Sequence, residues 1–588
     1  MAAFQTIVHR VDFCVVGGGL SGMCAAIAAA RNGAKVALLH ERPMLGGNAS
    51  SEVRMWVCGA HGDNNRETGI IEELVLENQY RNPDKNYSLW DTVLYEKVRF
   101  EPNITLLLNC TCMDAEMDGA RVHSVTGWQM TTQRFHKVEA ALFADCSGDS
   151  VLAPLTGAAF RIGREAASEF GESIAPAQAD RHTMGMSCMI QAREQAQASR
   201  FTPPAWAHRY TAEDLPHRQP NLASHGENFW YLELGGMQDS IGDSEALRDE
   251  LYRCALGIWD YLKNDDAQAE KNANWRLDWM GMLPGKRESR RYEGDYMMTQ
   301  GDVRSEGRFE DLVAYGGWSM DDHHPGGFQT TEQPTIFHPA PSPYGIAYRC
   351  LYSRNVENLF CAGRNISATH AAMSSTRVMA TCALLGQAVG TAAAIALREG
   401  TTPRGVYAQH VDALQQLLMD DDCYLPFHRR AVSPLTQAAR VEGGDQPEAL
   451  RNGFDRPIGG ADNGCTLPLG GAVTYRFDAP TAVHRVRVVF DSDLNRVTLP
   501  APEAKLNRPM IHNRPLDWPD TYPPQTLVRR YRVEAQLADG SWTTLAQEEN
   551  NYQRLRKHAT DVQATAIRFT PLETWGSPAC HLFALDVD

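Results

Sequence analysis

The sequence predicts an α/β chain interrupted by an inserted α+β region and followed by an all-β sandwich. Three observations predict it. A strand, a glycine loop, a helix and a second strand follow one another near the N-terminus. A small-residue strand and helix return after residue 350, and short alternating strands run on beyond residue 460. At 588 residues the chain exceeds what one hydrophobic core supports, so more than one domain is expected.

Phe13 to Val16 is a short apolar run that reads as a buried parallel strand. It ends in Gly17-x-Gly19-x-x-Gly22, and the Ala-rich stretch from Met23 to Ala30 then reads as a helix. A second apolar run, Ala34 to Leu39, leads to Glu41. In such a unit the first glycine permits a tight turn, the second lets backbone approach a pyrophosphate, and the third lets helix pack on strand. Leu20 and Ser21 fall where the helix opens, and the unpaired N–H groups there favour phosphate. Glu41 stands where a carboxylate accepts hydrogen bonds from an adenosine ribose and repels a 2′-phosphate.

The composition, 43% apolar and 22% charged, is that of an ordinary globular protein. A net charge of −16 without any Lys/Arg block argues against nucleic acid as a partner. No stretch approaches ~20 uninterrupted apolar residues, so no membrane span is expected. The first strand starts too early to leave room for a signal peptide, and the 14 cysteines are scattered, with no Cys-x-x-Cys and no metal-ligand spacing. A reduced, cytoplasmic protein is the expectation, with homo-oligomer formation left open.

Residues 1–160 alternate strand and helix, with strands expected at Ile104 to Leu108, Val122 to Met130 and Phe135 to Leu142. Residues 161–350 are rich in Trp, Tyr, Arg and Asp with little long-range periodicity, and read as an inserted substrate or cap domain. Residues 351–440 return to the first character, with a strand at Leu359 to Gly363, a small-residue helix and a further helix from Val406 to Met419. From residue 441 to 588 the β-branched and aromatic runs at 473–477, 483–490, 528–537, 542–546 and 565–569, separated by turn residues, predict the sandwich. Residues 491–527 are proline-rich and read as an irregular excursion.

Glu41-Arg42 is followed by Gly46-Gly47-Asn48-Ala-Ser50-Ser51. This resembles the segment with which flavoproteins of the two-dinucleotide-domain type bring backbone under the pyrophosphate and flavin. Asp145 to Asp149, with Gly148, resembles their second glycine-containing strand end. Asn358 to Gly363-Arg364 resembles the third, where the chain returns to close the site. The three together point to FAD rather than NAD, and to a Rossmann-like FAD-binding domain. Further segments, 163–172, 285–291, 344–349 and 363–370, resemble the bacterial FAD-dependent oxidoreductase family over about residues 10–400. Members are often found beside polysaccharide-degrading genes. Arg364 departs from the Gly-Asp pair of many flavoproteins, so a phosphate partner is considered for it and no Asp role is carried over. The C-terminal segments 533–542, 566–569 and 581–585 resemble a discoidin-like sandwich, a fold that binds glycans in some proteins and is purely structural in others.

The resemblance implies an enzyme in which a substrate C–H faces the flavin while a base removes the partner proton. His370, six residues after Arg364, and His61, in Cys58-Gly-Ala-His-Gly62, are the histidines nearest the expected flavin edge. Arg54, Arg349 and Arg377, with Arg290 and Arg291, are anchor candidates for carboxylates or hydroxyls, with ion pairing to nearby acids as the structural alternative. Tyr348 is a further candidate. His323 and His324 could shape the pocket. Trp230, Trp259, Trp275, Trp279 and Trp318 either stack on sugars or pack the core. The expected function is FAD-dependent hydride transfer from a hydroxyl-bearing carbon of a carbohydrate to flavin N5, with a small-molecule or oligosaccharide substrate and an unidentified electron acceptor. Redox-neutral glycoside cleavage is the alternative. C=C reduction resembling fumarate reductases, or non-catalytic glycan binding, are further ones.

Overall fold

The computed structural model describes residues 4–224, 227–499 and 508–588. They form two compact units. The first takes the described residues up to Ala60, Lys85–Leu414 and Arg508–Trp518. The second takes His61–Asp84, the described residues from Gln415 to Leu499, and Pro519–Asp588. This differs from the division expected at residue 441. Residues 61–84 carry side chains that complete the β-rich core, and no composition shift marks their change of unit.

In the first unit, strands Ile104–Leu107, Val36–Leu39, Thr6–Val16 and Arg134–Asp145 lie parallel in that order, with Leu359–Cys361 alongside the last. An antiparallel meander of Cys110–Asp118 and Arg121–Gln129 extends the sheet from Arg134–Asp145. The parallel strands end in register: Val16 pairs with Leu39 and with Asp145, Leu39 with Leu107, and Asp145 with Cys361. Their following loops therefore gather at one carboxyl edge, where open α/β sheets bind ligands. The expected strand at 13–16 extends back to Thr6, because Arg134–Asp145 offers it a long parallel partner.

Helices Leu20–Arg31 and Met379–Glu399 pack against each other beside this sheet at unusually close range. A Cβ on Gly386 would stand 1.9 Å from the Ser21 carbonyl oxygen, and one on Gly390 2.1 Å from that of Ala25. Met379–Glu399 is long and apolar enough to cross a membrane, a length the sequence reading missed because Gly, Thr and Gln interrupt the run. Within the unit 94% of its apolar window is buried, so it serves as a core helix.

The inserted region is less irregular than expected. Ser244–Asn264 is a 21-residue helix whose Leu247, Leu251, Cys254, Ile258 and Leu262 form one buried stripe at helical spacing. It packs against Met186, Ile190, Phe229 and Leu234, and Trp259 and Trp275 are core residues here. All fourteen cysteines are free thiols and all but Cys58 are buried.

In the second unit, two long strands, Val473–Phe490 and Leu555–Thr574, pair antiparallel with register shifts near Arg476/Thr481 and Val483/Arg485. On one side of the shifts they are flanked by Arg440–Glu442, Val528–Gln536 and Trp542–Glu548. On the other they are flanked by Ala579–Val587 and Cys465–Pro468. Two layers result, enclosing Val473, Tyr475, Val486, Val488, Phe490, Ile567 and Phe569. The expected breaks at 477–483 and before 565 are shifts within continuous strands. Helix Ile70–Arg81 contributes Leu76 to this core.

Candidate functional site

The glycine loop and the loop after Val36–Leu39 meet backbone to backbone. Gly17 adopts φ +107°, and a Cβ there would lie 2.4 Å from the Cys146 backbone; one on Gly22 would lie 1.8 Å from the Gly17 oxygen. Gly19 caps helix Leu20–Arg31, and a Cβ there would meet only Gly47, at 3.9 Å. Gly46 and Gly47 take positive φ, and the Gly46 N–H donates to the Gly18 carbonyl at 2.8 Å. A cradle thus lies before a helix N-terminus, which is what a pyrophosphate requires. Ser50 is buried and donates to the Gly47 carbonyl; the Ser21 hydroxyl donates to the Ala362 carbonyl, tying the first loop to the third.

His40, which the sequence reading passed over, fastens these loops. Its Nδ1 accepts the Gly18 N–H at 3.0 Å and its Nε2 lies 2.9 Å from the Met44 carbonyl. Burial, and then the Arg42 charge, push its pKa down to about 4, so the ring stays neutral and keeps one acceptor and one donor. Glu41 is exposed just beyond. Arg42 is beside Gly47, and its Nε and the Glu52 Oε2 are buried without hydrogen-bond partners among the described residues. Arg42 pairs with Glu52 at 3.8 Å, so its charge is balanced, and an open glycine cradle with a buried Nε–H left to satisfy at its rim fits a dinucleotide. Asn48 donates to the Lys286 carbonyl and the Ser51 N–H to Asp91, fixing the far end of the loop.

At the other two strand ends, Gly148 lies against the Arg364 guanidinium, 2.6 Å from where its Cβ would be. Gly363 takes φ +119°. Asp149 accepts from Arg364 and from Lys286, each at 2.8 Å, and from Ser289. Burial opposes its charge, but Arg364 and Lys286 outweigh it and hold the carboxyl down to about 2. Arg364 therefore already has a carboxylate partner, while its buried Nε lacks a hydrogen-bond partner among the described residues.

His370 opens the short helix His370–Thr376, which Thr369 caps through the Ala372 N–H. Its Nδ1 is 2.9 Å from Glu288 and its Nε2 3.1 Å from Asp322, while its N–H donates to Glu165. Burial alone would lower its pKa, but Glu288 and Asp322 raise it to about 10, so the ring is an imidazolium at neutral pH. The sequence reading expects a proton-transfer residue here, and the two carboxylates favour its protonated form. Glu288 also pairs with Arg291 at 3.3 Å, and Arg291 with Glu165 at 3.0 Å. Arg377 reaches Asp321 at 3.2 Å; Asp321 lies 3.4 Å from His323, whose Nδ1 is 2.6 Å from Glu233. Glu165, Glu233 and Asp322 were missed, because they lie far from His370 in sequence; Glu288 is expected only as an ion-pair partner of the nearby arginines, which its pairing with Arg291 bears out.

Other candidates stand apart. Arg349 makes a two-pronged pair with Asp311 and stacks on Tyr296 and Tyr407. Tyr348 is fully buried and donates to the Pro403 carbonyl. Both fasten the chain to structural neighbours, and no hydrogen bond among the described residues joins either to His370. His61 belongs to the second unit, where its carbonyl accepts from Asn65. Arg54 is stacked between Tyr87 and Trp279. Arg290 donates to the Asp149 carbonyl. His208, Glu250 and Cys254 come within 4.8 Å of one another, a grouping the sequence reading did not anticipate, but burial pushes the thiol up to about 11.

Comparison with known proteins gives one family match, to a model described as FAD dependent oxidoreductase, over residues 12–418. No curated protein matches the sequence. Among solved structures, the family 32 carbohydrate-binding module from Streptococcus pneumoniae EndoD is 16% identical, with 26% of this chain and 99% of that one covered and a TM-score of 0.20. The family 32 module from C. perfringens NanJ in complex with galactose is 9% identical, covering 26% and 97%, with a TM-score of 0.19. L-proline dehydrogenase from P. horikoshii is 18% identical, covering 24% of each chain, with a TM-score of 0.17.

Proposed function

Because this chain belongs to the family of FAD-dependent oxidoreductases, we propose that it oxidises a hydroxyl-bearing carbon of a sugar, sugar acid or glycoside. The observation that carries the reading is His370 held as an imidazolium between Glu288 and Asp322, just after the Gly363-Arg364 loop. FAD, when bound, supplies a two-electron hydride acceptor. Gly17, Gly19 and Gly22, with the N–H groups at Leu20 and Ser21, would hold its pyrophosphate. Glu41 would take the ribose, and Gly46, Gly47, Asn48 and Ser50 would support the remainder.

The residues of the chain handle the proton. A hydroxyl placed against His370 and Asp322 loses its proton to the Asp322 carboxylate, the less buried of the two acids, as the C–H bond breaks. The imidazolium Nε2–H, 3.1 Å from Asp322, would be shared with the substrate oxygen as charge develops on it, which lowers the barrier. Glu288 keeps the ring charged and fixed in orientation. Arg377 holds Asp321, next to Asp322 in the chain, in place.

A second reading is favoured by the same pair. A carboxylate and an imidazolium side by side are what elimination next to a newly formed ketone needs: one removes the acidified C–H proton, the other protonates the departing glycosidic oxygen. Addition of water and return of the hydride would complete cleavage without an external acceptor.

An anaerobic screen of the yellow holoenzyme against mono- and oligosaccharides tests both. Bleaching with a ketosugar product supports net oxidation; a released aglycone with the flavin returned to its oxidised state supports cleavage. Absence of either outcome across neutral, acidic and glycosidic sugars would overturn the carbohydrate reading.

A further inference from the structure

Residues Arg508–Trp518 belong to the first unit although they follow most of the second in sequence. Within them His512 is 1% exposed, and among the described residues neither of its ring nitrogens has a hydrogen-bond partner. Asn513 is also buried; its Oδ1 accepts the Ala192 N–H at 3.1 Å, while its Nδ2 has no partner among the described residues. An unsatisfied buried polar group costs about 1–3 kcal/mol. Native proteins leave few such groups without a role, so three in two consecutive residues mark a place where something else binds.

The surroundings define its chemistry. The Trp56 and Tyr87 rings pack edge-on to His512 at 6.2 and 5.8 Å. Arg508 lies over Trp56 at 3.8 Å, and Arg54 is stacked between Tyr87 and Trp279 at 4.7 and 4.2 Å. A guanidinium held by its faces offers its N–H edge to a planar or tetrahedral anion. Arg54 uses Nε on the Ser51 carbonyl and Nη1 on Gln191, and adopts φ +60°, a strained conformation that recurs at functional sites. Arg508 makes no ion pair among the described residues. The acids nearby are committed, Asp278 to Arg193 at 2.9 Å and Asp91 to the Ser51 N–H at 3.0 Å. Burial, and then the Arg54 and Arg508 charges, push the His512 pKa down to about 3, so its ring keeps one donor and one acceptor. Arg54 and Trp56 continue the loop that starts at Gly46-Gly47-Asn48, and the Met55 N–H donates to the Asn48 carbonyl at 2.8 Å. The group thus adjoins the cofactor cradle.

We propose that Arg54, Arg508, His512 and Asn513 form a subsite for an acidic saccharide residue, one that carries a carboxylate or sulfate beside its ring hydroxyls. The Arg508 guanidinium and the Arg54 Nη2, the one nitrogen of that group without a partner among the described residues, take the anion, His512 and Asn513 exchange hydrogen bonds with hydroxyls, and Trp56 and Tyr87 supply apolar walls. A neutral sugar would leave Arg508 without an ion-pair partner and Arg54 with only the charges of Asp278 and Asp91, which are committed elsewhere. The sugar class rests on the carbohydrate reading above; the demand for an anion rests on this geometry.

Trp56 and Trp279 provide the readout. Tryptophan fluorescence of the holoenzyme is titrated with glucuronate, galacturonate, a hexose sulfate, glucose and galactose. At least one anionic sugar should bind saturably, with neutral hexoses weaker by about tenfold or more, and the uronate and sulfate arms separate the two anions. Arg508→Gln and His512→Phe should each weaken the anionic sugar by about tenfold while FAD content is retained. Equal binding of neutral and acidic sugars, binding of no acidic sugar, or FAD-loaded variants that bind as tightly as the parent would each overturn the subsite. Binding is read without turnover, so failure of the oxidation reading is distinguishable. A protein that binds a uronate but is never bleached refutes oxidation and keeps the subsite, whereas bleaching by neutral sugars with no anion binding does the reverse.

Discussion

His370 carries its proton because two carboxylates oppose the effect of its burial. Its folded pKa, about 10, lies above the ordinary histidine value of about 6.5, so the fold favours the charged ring. That stabilisation is complete below about pH 6.5 and is lost as pH rises toward 10. Melting temperature should therefore fall between pH 7 and 10.5 more steeply in the parent than in His370→Gln, which cannot titrate; parallel curves would refute the ion triad. At neutral pH His370→Gln should retain FAD, since the glycine cradle is untouched, yet slow flavin reduction by roughly 10²–10⁴-fold, measured by stopped flow. Asp322→Asn separates the partners: if Asp322 receives the hydroxyl proton, this variant slows reduction comparably although His370 keeps Glu288. Reduction at the parental rate would assign proton acceptance elsewhere.

Among the elements, the pair Leu20–Arg31 and Met379–Glu399 links packing to cofactor binding most directly. Gly386 meets the carbonyl of Ser21, a residue of the turn that would face the pyrophosphate. Gly386→Ala should cost about 1–3 kcal/mol by forcing the helices apart, and should weaken FAD retention as well as lower the melting temperature. Loss of stability with unchanged FAD affinity would disconnect the two. The glycine loop was legible in the sequence because its chemistry is local: Gly17, Gly19 and Gly22 lie within six residues, Gly17 and Gly22 have no room for a Cβ, and Gly19 leaves its side open for a pyrophosphate. The His370 site was legible only in its histidine. Glu288 and Asp322 stand 82 and 48 residues away, and no short-range pattern ties them to it. The helix Ser244–Asn264 is a different case. Its apolar stripe was present in the sequence, and the surrounding Trp-, Tyr- and Asp-rich loops obscured a regular period. Strand Cys110–Asp118 offered a weaker signal, since it presents polar and exposed residues along most of its length.

For the molecule as a whole, the chain passes between the two units five times, at 60/61, 84/85, 414/415, between the described residues 499 and 508, and at 518/519. A cut near Gly443, which a linear domain order would allow, removes most of the second unit but leaves helix Ile70–Arg81 behind. Leu76 would then lose the sandwich core, and Glu72, 1% exposed, would lose Arg496, which binds its two oxygens at 2.6 and 2.7 Å. Stranding one member of a buried ion pair costs about 3–5 kcal/mol. The truncated protein, which also lacks Arg508–Trp518 of the first unit, should be largely insoluble or colourless, as judged by soluble yield and flavin absorbance; a soluble yellow protein with parental melting would show that residues 1–443 fold and hold flavin without either missing part. The same pair bears on how the protein is made. Glu72 and Arg496 are 424 residues apart, and at about 5–20 residues per second a ribosome takes on the order of 20–85 s to travel between them. Throughout that interval the helix has left the exit tunnel with its apolar face and its carboxylate uncovered, so the nascent chain offers chaperones a binding segment early in its synthesis and withdraws it only near the end.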